Sequence, residues 1–166
     1  MKQLTVLVCL LVLASLAAAT GYEKGKTIIG PLVGVNWYGL AIGAQGEYGV
    51  TDNISVGGIA SYSSKSYDAY YFSDGWKVTY ISIGGQGNWH FKPAQKFDPF
   101  VGVTIGYDIA SVTWPAGWDT YWAKPTYGGV FFGGNAGCNY DLSPTVLGRA
   151  QVGYPYYLAV GVSFKF

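Results

Sequence analysis

Large apolar side chains recur at every second residue along most of the chain, which is the period of a β-strand. The clearest example ends the sequence, where Tyr156, Leu158, Val160, Val162, Phe164 and Phe166 alternate with Tyr157, Ala159, Gly161, Ser163 and Lys165. The even positions form a continuous apolar face, and the odd positions are mostly small or polar. This pattern predicts a strand that continues to the last residue.

Similar alternation recurs through the rest of the chain, whereas no segment after the N-terminal region has the spacing of apolar residues that a helix requires. Polar turn sequences, such as TDN at 51–53, KPAQK at 92–96 and DLSPT at 141–145, separate several of the alternating segments. We predict strands at about 28–37, 40–50, 54–66, 76–91, 98–113, 126–141, 145–153 and 156–166. The expected class is therefore all-β, with eight strands.

The two faces of these strands differ in side-chain size as well as polarity. In the second strand Leu40, Ile42 and Tyr48 share one face, and Gln45 and Glu47 lie on the other. The polar faces consist mostly of Gly, Ala, Ser, Asn and Gln, whereas a face in water usually carries many Lys and Glu. Small polar residues suit a crowded interior, so the large apolar residues are expected to face hydrocarbon.

A sheet in lipid must close on itself, because each unpaired backbone group at an open edge costs several kcal/mol. Eight antiparallel strands make a small closed barrel whose interior is filled by side chains. The prediction is an eight-stranded antiparallel up-and-down transmembrane β-barrel. Two alternatives remain open: a secreted soluble barrel that binds a small apolar ligand, as lipocalins do, and a minor pore or transport protein.

The first residues have the layout of a cleaved signal peptide. A positive charge at Lys2 is followed by an apolar run from Val6 to Ala14 and then by small residues. The run is shorter than the roughly 20 residues of a membrane-spanning helix, which disfavours an uncleaved anchor. We expect a signal peptide at 1–19, an N-terminal periplasmic tail at 20–27 and an outer-membrane barrel domain at 28–166.

Composition narrows the class of protein further. The chain has 25 Gly, 15 Tyr and 6 Trp with a formal net charge of +1. It lacks the basic surplus of a nucleic-acid-binding protein and the charged, aromatic-poor bias of a disordered one. Cys138 is the only cysteine after the expected signal peptide, which excludes an intramolecular disulfide in the mature chain.

The lengths of the connections indicate how such a barrel is oriented. The short polar turns fall at the end that holds both termini, and the longer connections at 67–76 and 114–125 fall at the other end. Outer-membrane barrels have short periplasmic turns and longer extracellular loops. The longer connections are therefore expected outside the cell, although the links near 37–39 and 153–155 at that same end are tight.

Three features carry a resemblance to a known class: the signal peptide, the strand–turn–strand unit EYGVTDNISVGG at 47–58, and the ending AVGVSFKF. They resemble the small outer-membrane β-barrel proteins of Gram-negative bacteria, a class that includes OmpX and the OmpA barrel domain. The resemblance implies a C-terminal signal for the barrel-assembly machinery at Val160, Val162, Phe164 and Phe166. The class includes adhesins, serum-resistance factors, enzymes and stability proteins, so the resemblance does not select a function.

Charges in the predicted interior are costly unless they are paired. The expected interior polar cluster consists of Glu47, Arg149, Asp108, Gln45 and Gln151. Within it we expect Arg149 to bind Glu47, with Asp108 or Asp141 as less favoured partners. The resemblance implies that such a cluster plugs the barrel.

Aromatic residues cluster near the predicted strand ends, where Trp and Tyr rings suit the headgroup regions of a membrane. Those expected toward the outside are Trp37, Tyr38, Tyr62, Trp76, Tyr80, Trp114, Tyr127, Tyr154 and Tyr156, and those toward the periplasm are Tyr48, Trp89, Phe91, Tyr140 and Phe166. In the second long connection, Trp114, Trp118 and Trp122 are candidate contacts for an extracellular ligand. The expected partners are outer-membrane lipid and lipopolysaccharide.

Catalysis, metal binding and cofactors are not expected. His90 is the only histidine, and acid–base catalysis near neutral pH would depend on it. Barrel enzymes that modify lipids use a histidine beside a serine, but no serine is close to His90 in sequence. One histidine and one cysteine on opposite faces do not make a metal site. The expected function is structural, or is exerted by the extracellular loops.

Overall fold

The computed structural model describes residues 22–69, 72–91, 93, 95–115 and 126–166, so the expected signal peptide lies outside the described residues. Eight β-strands occur in these ranges: β1 (Thr27–Asn36), β2 (Gly39–Gly49), β3 (Ile54–Ala69), β4 (Phe72–His90), β5 (Phe97–Thr113), β6 (Thr126–Ser143), β7 (Val146–Gly153) and β8 (Tyr156–Lys165). The predicted strand number is confirmed. In this part of the chain no helix is long and apolar enough to cross a membrane.

The strands form one closed antiparallel barrel in sequence order, as predicted. β8 returns to pair with β1, so that Val33 lies opposite Val160. The closing ladder reaches the last residue, because the amide of Phe166 donates to Thr27 O at 2.8 Å and the amide of Thr27 donates to Phe166 O at 3.1 Å. The final strand is therefore an internal part of the wall and not an edge.

Side chains alternate between the outside of the barrel and its interior. Large apolar residues point outward and are widely exposed, with Val103 at 70% and Phe132 at 78%. The interior holds polar residues such as Gln86, Asn88 and Asn139, which are all buried. This is the reverse of a water-soluble barrel, and it confirms the assignment of faces made from residue size and charge.

Glycine allows close approach of strands and one tight turn. At the inward position Gly57, an added Cβ would overlap the carbonyl oxygen of Gly46 and the Cα of Glu47. At Gly39, which ends the β1–β2 turn, φ is +104°, a conformation that other residues rarely adopt.

At one end of the barrel, four of the eight strands extend beyond the other four. We call the end with Phe166 and the β2–β3, β4–β5 and β6–β7 turns the lower mouth, and the opposite end the upper mouth. β3 to β6 have 16 to 19 residues, whereas the other four strands have 8 to 11. β2 pairs with β3 only as far as Ser63, and β7 pairs with β6 only as far as Asn135. β3 to β6 therefore project beyond the upper mouth as an upper extension, formed by residues 64–69, 72–79, 110–115 and 126–129.

A loop was predicted at 67–76, and the strands of the upper extension show that this prediction was wrong. β3 continues to Ala69 and β4 begins at Phe72, so that Tyr67 pairs with Trp76 within one β-hairpin. Alternation did not identify these strand ends, because aromatic residues occupy both odd and even positions between Tyr67 and Trp76. The second predicted loop, at 114–125, is described only at its first two residues.

Candidate functional site

Arg149 and Glu47 form an ion pair inside the barrel, as predicted. Arg149, on β7, donates from Nη1 to Oε1 of Glu47, on β2, at 2.5 Å. Both side chains are buried. Because a buried charge is stable only when a partner replaces its lost hydration, each of these two groups depends on the other.

Further polar groups hold the ion pair in place. Glu47 Oε2 accepts hydrogen bonds from Ser55 Oγ at 2.8 Å and from Asn88 Nδ2 at 2.7 Å. Arg149 Nε donates to Oε1 of Gln151 at 2.8 Å. These contacts tie together side chains from β2, β3, β4 and β7, so the network crosses the interior instead of following one strand.

Gln45 bonds to other interior groups than the Glu47–Arg149 network does, and Asp108 belongs to neither set. Oε1 of Gln45 accepts from Gln86 at 3.1 Å, and its Nε2 donates to Ser163 Oγ at 3.4 Å. Asp108 instead accepts a hydrogen bond from Tyr154, which follows β7 at the upper mouth. Asp108 was predicted in one interior cluster with Arg149, as a less favoured partner of that residue, and this was wrong. An odd or even position in a strand identifies the side of the wall that a residue faces, but not its position along the barrel axis.

The structure places a serine and an aspartate against His90. Ser55 Oγ lies 3.0 Å from Nε2, and Asp98 Oδ2 lies 2.7 Å from Nδ1. Asn139 donates to the same Asp98 oxygen at 3.2 Å. Ser55 is 35 positions from His90 in sequence, and the two meet because both point inward at the lower ends of the paired strands β3 and β4. The contact depends on the register of this strand pair, and the alternation of apolar and polar residues does not define a register.

This Ser–His–Asp arrangement has the contacts of a nucleophile, a base and an orienting carboxylate. Its surroundings disfavour hydrolysis, because Ser55, His90 and Asp98 are each 0% exposed and the Ser55 hydroxyl also bonds to Glu47. Among the described residues, no group of three or more His, Cys, Asp or Glu side chains is placed to hold a metal ion. We call the following set the lower polar cluster: Glu47, Ser55, Asn88, His90, Asp98, Asn139, Arg149 and Gln151.

Tyr22 covers the lower polar cluster, although it precedes β1. Its ring stacks on His90 with centroids 3.9 Å apart and 6° between the planes, and the residue is 1% exposed. Its hydroxyl lies 2.6 Å from Thr51 O and 2.5 Å from Ile54 O. Burial, reinforced by nearby carboxylates, raises the pKa of Tyr22 to about 12. The sequence provided no signal for this contact, because a single residue outside a strand has no periodicity.

A second cluster fills the barrel near the upper mouth. The hydroxyl of Tyr80 lies 2.6 Å from that of Tyr154, which donates to Asp108. The Phe131 ring packs 4.5 Å from the Tyr154 ring, centroid to centroid. Tyr80 and Tyr154 lie at the end of the barrel where they were predicted, but they face the interior and not the membrane, so the girdle assignment was wrong for both.

Tyr156 was also predicted on the outer face and is instead buried. It is 0% exposed, whereas Tyr157 is 55% exposed. The β7–β8 register shifts between Gln151 and Gly153, which changes the parity at the start of β8. The strict alternation of the C-terminal strand begins only at Leu158.

The upper extension reverses the polarity of the wall below it. Among its described residues, the side chains at outward positions are polar, namely Ser64, Ser66, Lys77, Thr79, Ser111, Thr113 and Thr126, while Gly128 has none. On the inner side Tyr67 stacks on Trp76 at 5.4 Å, and Trp114 lies 6.3 Å from Trp76. Lys65 Nζ lies 5.1 Å from the Tyr67 ring centre. Trp114 thus belongs to an aromatic face above the upper mouth, and Trp118 and Trp122 lie outside the described residues.

The predicted assembly signal lies on the outer surface. Val160, Val162, Phe164 and Phe166 are all exposed on the even face of β8. Their role in assembly stays a prediction.

No protein-family model matches the sequence, and no curated protein is significantly similar to it. Solved structures are similar in fold. The N-terminal β-barrel domain of Pseudomonas aeruginosa OprF has a TM-score of 0.65 at 13% identity, over 86% of this chain and 98% of that one. P. aeruginosa OprG has a TM-score of 0.62 at 11% identity, over 89% and 99%. Neisserial surface protein A has a TM-score of 0.61 at 16% identity, over 86% and 98%. The chain therefore has the fold of the small eight-stranded outer-membrane β-barrels, the class that its sequence resembles.

Proposed function

We propose that the protein is an integral outer-membrane β-barrel with a filled interior, and that it acts at the cell surface through its upper extension. The observation that carries the proposal is the arrangement of faces: exposed apolar side chains such as Val103 and Phe132 surround an interior that contains hydrogen-bonded polar clusters as well as an apolar cluster around Leu32 and Ile59. A closed ladder with apolar residues outside is stable in hydrocarbon. The lipocalin-like alternative needs a water-facing outer surface and an apolar ligand cavity, whereas the outer surface is apolar and a buried ion pair occupies the lower part of the interior.

Membrane fractionation combined with gel mobility tests this location. The protein should remain with the detergent-extracted outer membrane, and its mobility should change when the sample is boiled, because a closed barrel resists detergent until it is heated. A protein released with the periplasm that runs at one mobility, heated or not, would refute the membrane barrel.

The lower mouth is proposed to face the periplasm, with export directed by the signal peptide at 1–19. Short turns at the lower mouth and the long strands at the upper mouth support this orientation. Proteolysis of intact cells tests this orientation. Protease sites introduced in the upper extension should be cleaved, and sites introduced in the β2–β3 turn at 50–53 should be protected. The opposite pattern would reverse the orientation.

The outer face of β8 is proposed to carry the assembly signal that ends in Phe166. Phe166→Ala keeps the backbone pair with Thr27 and should reduce the amount of heat-modifiable protein in the outer membrane. Phe97→Ala is the matched control, since Phe97 is an exposed aromatic residue at the same mouth. Equal assembly of the two variants would argue against a special role for the terminal ring.

A steady pore is not expected, because both polar clusters obstruct the interior. The Arg149–Glu47 pair crosses the barrel near the lower mouth, and the Tyr80–Tyr154–Asp108 group lies near the upper mouth. Reconstitution in a planar bilayer should give no sustained single-channel conductance. Steady openings would favour the transport alternative.

The saccharide part of lipopolysaccharide is the proposed ligand of the upper extension. Stacked aromatic rings offer flat apolar faces for sugar rings, and Lys65 adds a cation beside Tyr67 that suits phosphate groups. Trp76→Ala should weaken binding of purified lipopolysaccharide but not of lipid A alone. Trp89→Ala, which removes an outward tryptophan near the lower mouth, is the control. Equal binding by both variants would exclude this ligand.

A further inference from the structure

The N-terminal segment before β1 is held against the lower mouth at several points. The amide of Gly25 donates to Gly49 O at 2.8 Å, and the amide of Gly49 donates to Lys26 O at 3.0 Å. Lys165 Nζ pairs with Glu23 Oε1 at 3.0 Å. An added Cβ at Gly49 would overlap the carbonyl of Glu23, so this glycine leaves room for the segment. The segment 22–26 is thereby fixed to both β2 and β8.

This segment positions Tyr22 in a closely fitting site. The ring lies flat on the His90 imidazole, and the Phe100 ring packs near the same imidazole with centroids 5.7 Å apart. The Tyr22 hydroxyl points between Thr51 O and Ile54 O, which are acceptors at the β2–β3 turn. A flat slot that ends in two acceptors recognises a ring with a hydroxyl donor at its far end.

Beneath Tyr22 lies a continuous chain of hydrogen bonds into the barrel. It runs from Asp98 through His90 and Ser55 to Glu47 and then to Arg149. Each of these residues is buried. Charged groups in such a chain keep their strong mutual attraction only while water is excluded. The cover over His90 therefore matters for the whole lower polar cluster.

We propose that the lower mouth contains a phenol-binding site, occupied by the chain's own Tyr22, which acts as a tethered plug and keeps water from the lower polar cluster. The segment 22–26 is the tether. The site selects a phenol over a plain aromatic ring through the two carbonyl acceptors. This proposal concerns the lower mouth alone and does not depend on the ligand of the upper extension or on the cellular location.

The single histidine makes the site observable in the purified, untagged, detergent-solubilised protein. Stacking under Tyr22 should shift the Hε1 proton resonance of His90 upfield, and Tyr22→Gly should move it back toward the position of a free imidazole. The ring N–H protons of His90 should exchange with solvent at least about tenfold faster in Tyr22→Gly. Tyr48→Gly, which removes an outward tyrosine of β2, should leave both properties unchanged.

Chemical rescue tests the specificity of the site. p-Cresol, which is the tyrosine side chain as a free molecule, should restore the upfield shift of His90 in Tyr22→Gly in a saturable manner. Toluene lacks the hydroxyl and should bind about five- to tenfold more weakly. Equal affinity for the two compounds, or no rescue by p-cresol in a variant that retains heat-modifiable mobility, would overturn the phenol site.

Two measurements remain decisive if Tyr22→Gly does not fold. Wild-type protein in which His90 shows no upfield shift and its ring N–H protons exchange at the rate of free imidazole would refute the plug. Tyr22→Phe keeps the stack but loses the donor, so it should retain the upfield shift and show N–H exchange faster than wild type but slower than the Gly variant. Exchange in Tyr22→Phe equal to wild type would contradict the role of the two carbonyls.

Discussion

Replacing Arg149 by methionine would remove the cation beside Glu47 while keeping a long apolar side chain against Phe100. The Glu47 carboxylate would remain buried with hydrogen bonds from Ser55 and Asn88 but without a positive partner. Loss of one member of a buried ion pair costs about 3–5 kcal/mol. Arg149→Met should lower the free energy of unfolding by that amount.

The structure allows the charge contribution to be separated from packing. The guanidinium stacks 4.1 Å from the Phe100 ring centre, and methionine retains part of that contact. Glu47→Gln combined with Arg149→Met removes both charges and should be less destabilising than the sum of the single changes. Interaction energies within a hydrogen-bonded network are about 0.5–3 kcal/mol, and the value for this pair should lie in the upper half of that range.

Reversible urea unfolding in lipid vesicles provides the measurement, with tryptophan fluorescence and gel mobility as two probes of the transition. Lys165→Met is the control, because its partner Glu23 has a side chain that is 31% exposed. After the loss of Lys165, whose side chain is 5% exposed, the Glu23 carboxylate can still be hydrated, so the effect should be smaller than that of Arg149→Met. Equal effects of Arg149→Met and Lys165→Met, or additive effects of the two changes at Arg149 and Glu47, would refute the reasoning.

Other contacts lead to further predictions. Gly57→Ala should destabilise the barrel and slow its assembly, because the new Cβ has no space, whereas the outward Gly58→Ala should be tolerated; urea midpoints compare them. Tyr154→Phe removes the hydroxyl that donates to Asp108 and should lower the free energy of unfolding by about 1–3 kcal/mol in the same assay. The raised pKa of Tyr22 predicts a stabilising contribution that is complete below pH 10.0 and is lost as the pH rises through about 12. The difference in unfolding free energy between wild type and Tyr22→Phe should therefore shrink over that range, and a constant difference would contradict the burial of this hydroxyl.

The strand order and the assignment of faces were predictable because both follow from local chemistry. Residues such as Val103 and Gln86 show by size and polarity which side of the wall they occupy. The Arg149–Glu47 pair was also predictable, since Arg149 is the only arginine in the chain and requires an acidic partner on the same face. The length of the β3–β4 hairpin was not predictable, because Tyr67 and Trp76 belong to a part of the sheet where the polarity of the two faces is reversed.

Candidate site residues were only partly predictable. An odd or even position in a strand shows whether a side chain faces the interior, but not how far along the barrel axis it lies. Asp108 and Glu47 share the interior, yet they lie in different clusters at opposite ends of the barrel. Tyr156 faces the interior although the even positions after it face outward, because the register of the β7–β8 pair shifts near the start of β8.

The sequence by itself determined the number of strands, the two faces and the closure of the sheet, because a period of two residues and the exclusion of unpaired backbone groups from lipid act locally at each strand. Only the tertiary structure decided which interior groups meet. Ser55, His90 and Asp98 come together through the relative register of adjacent strands, and Tyr22 reaches His90 through a turn that precedes the barrel. These contacts depend on the sum of all the pairings around the closed wall, and no single stretch of sequence contains that information.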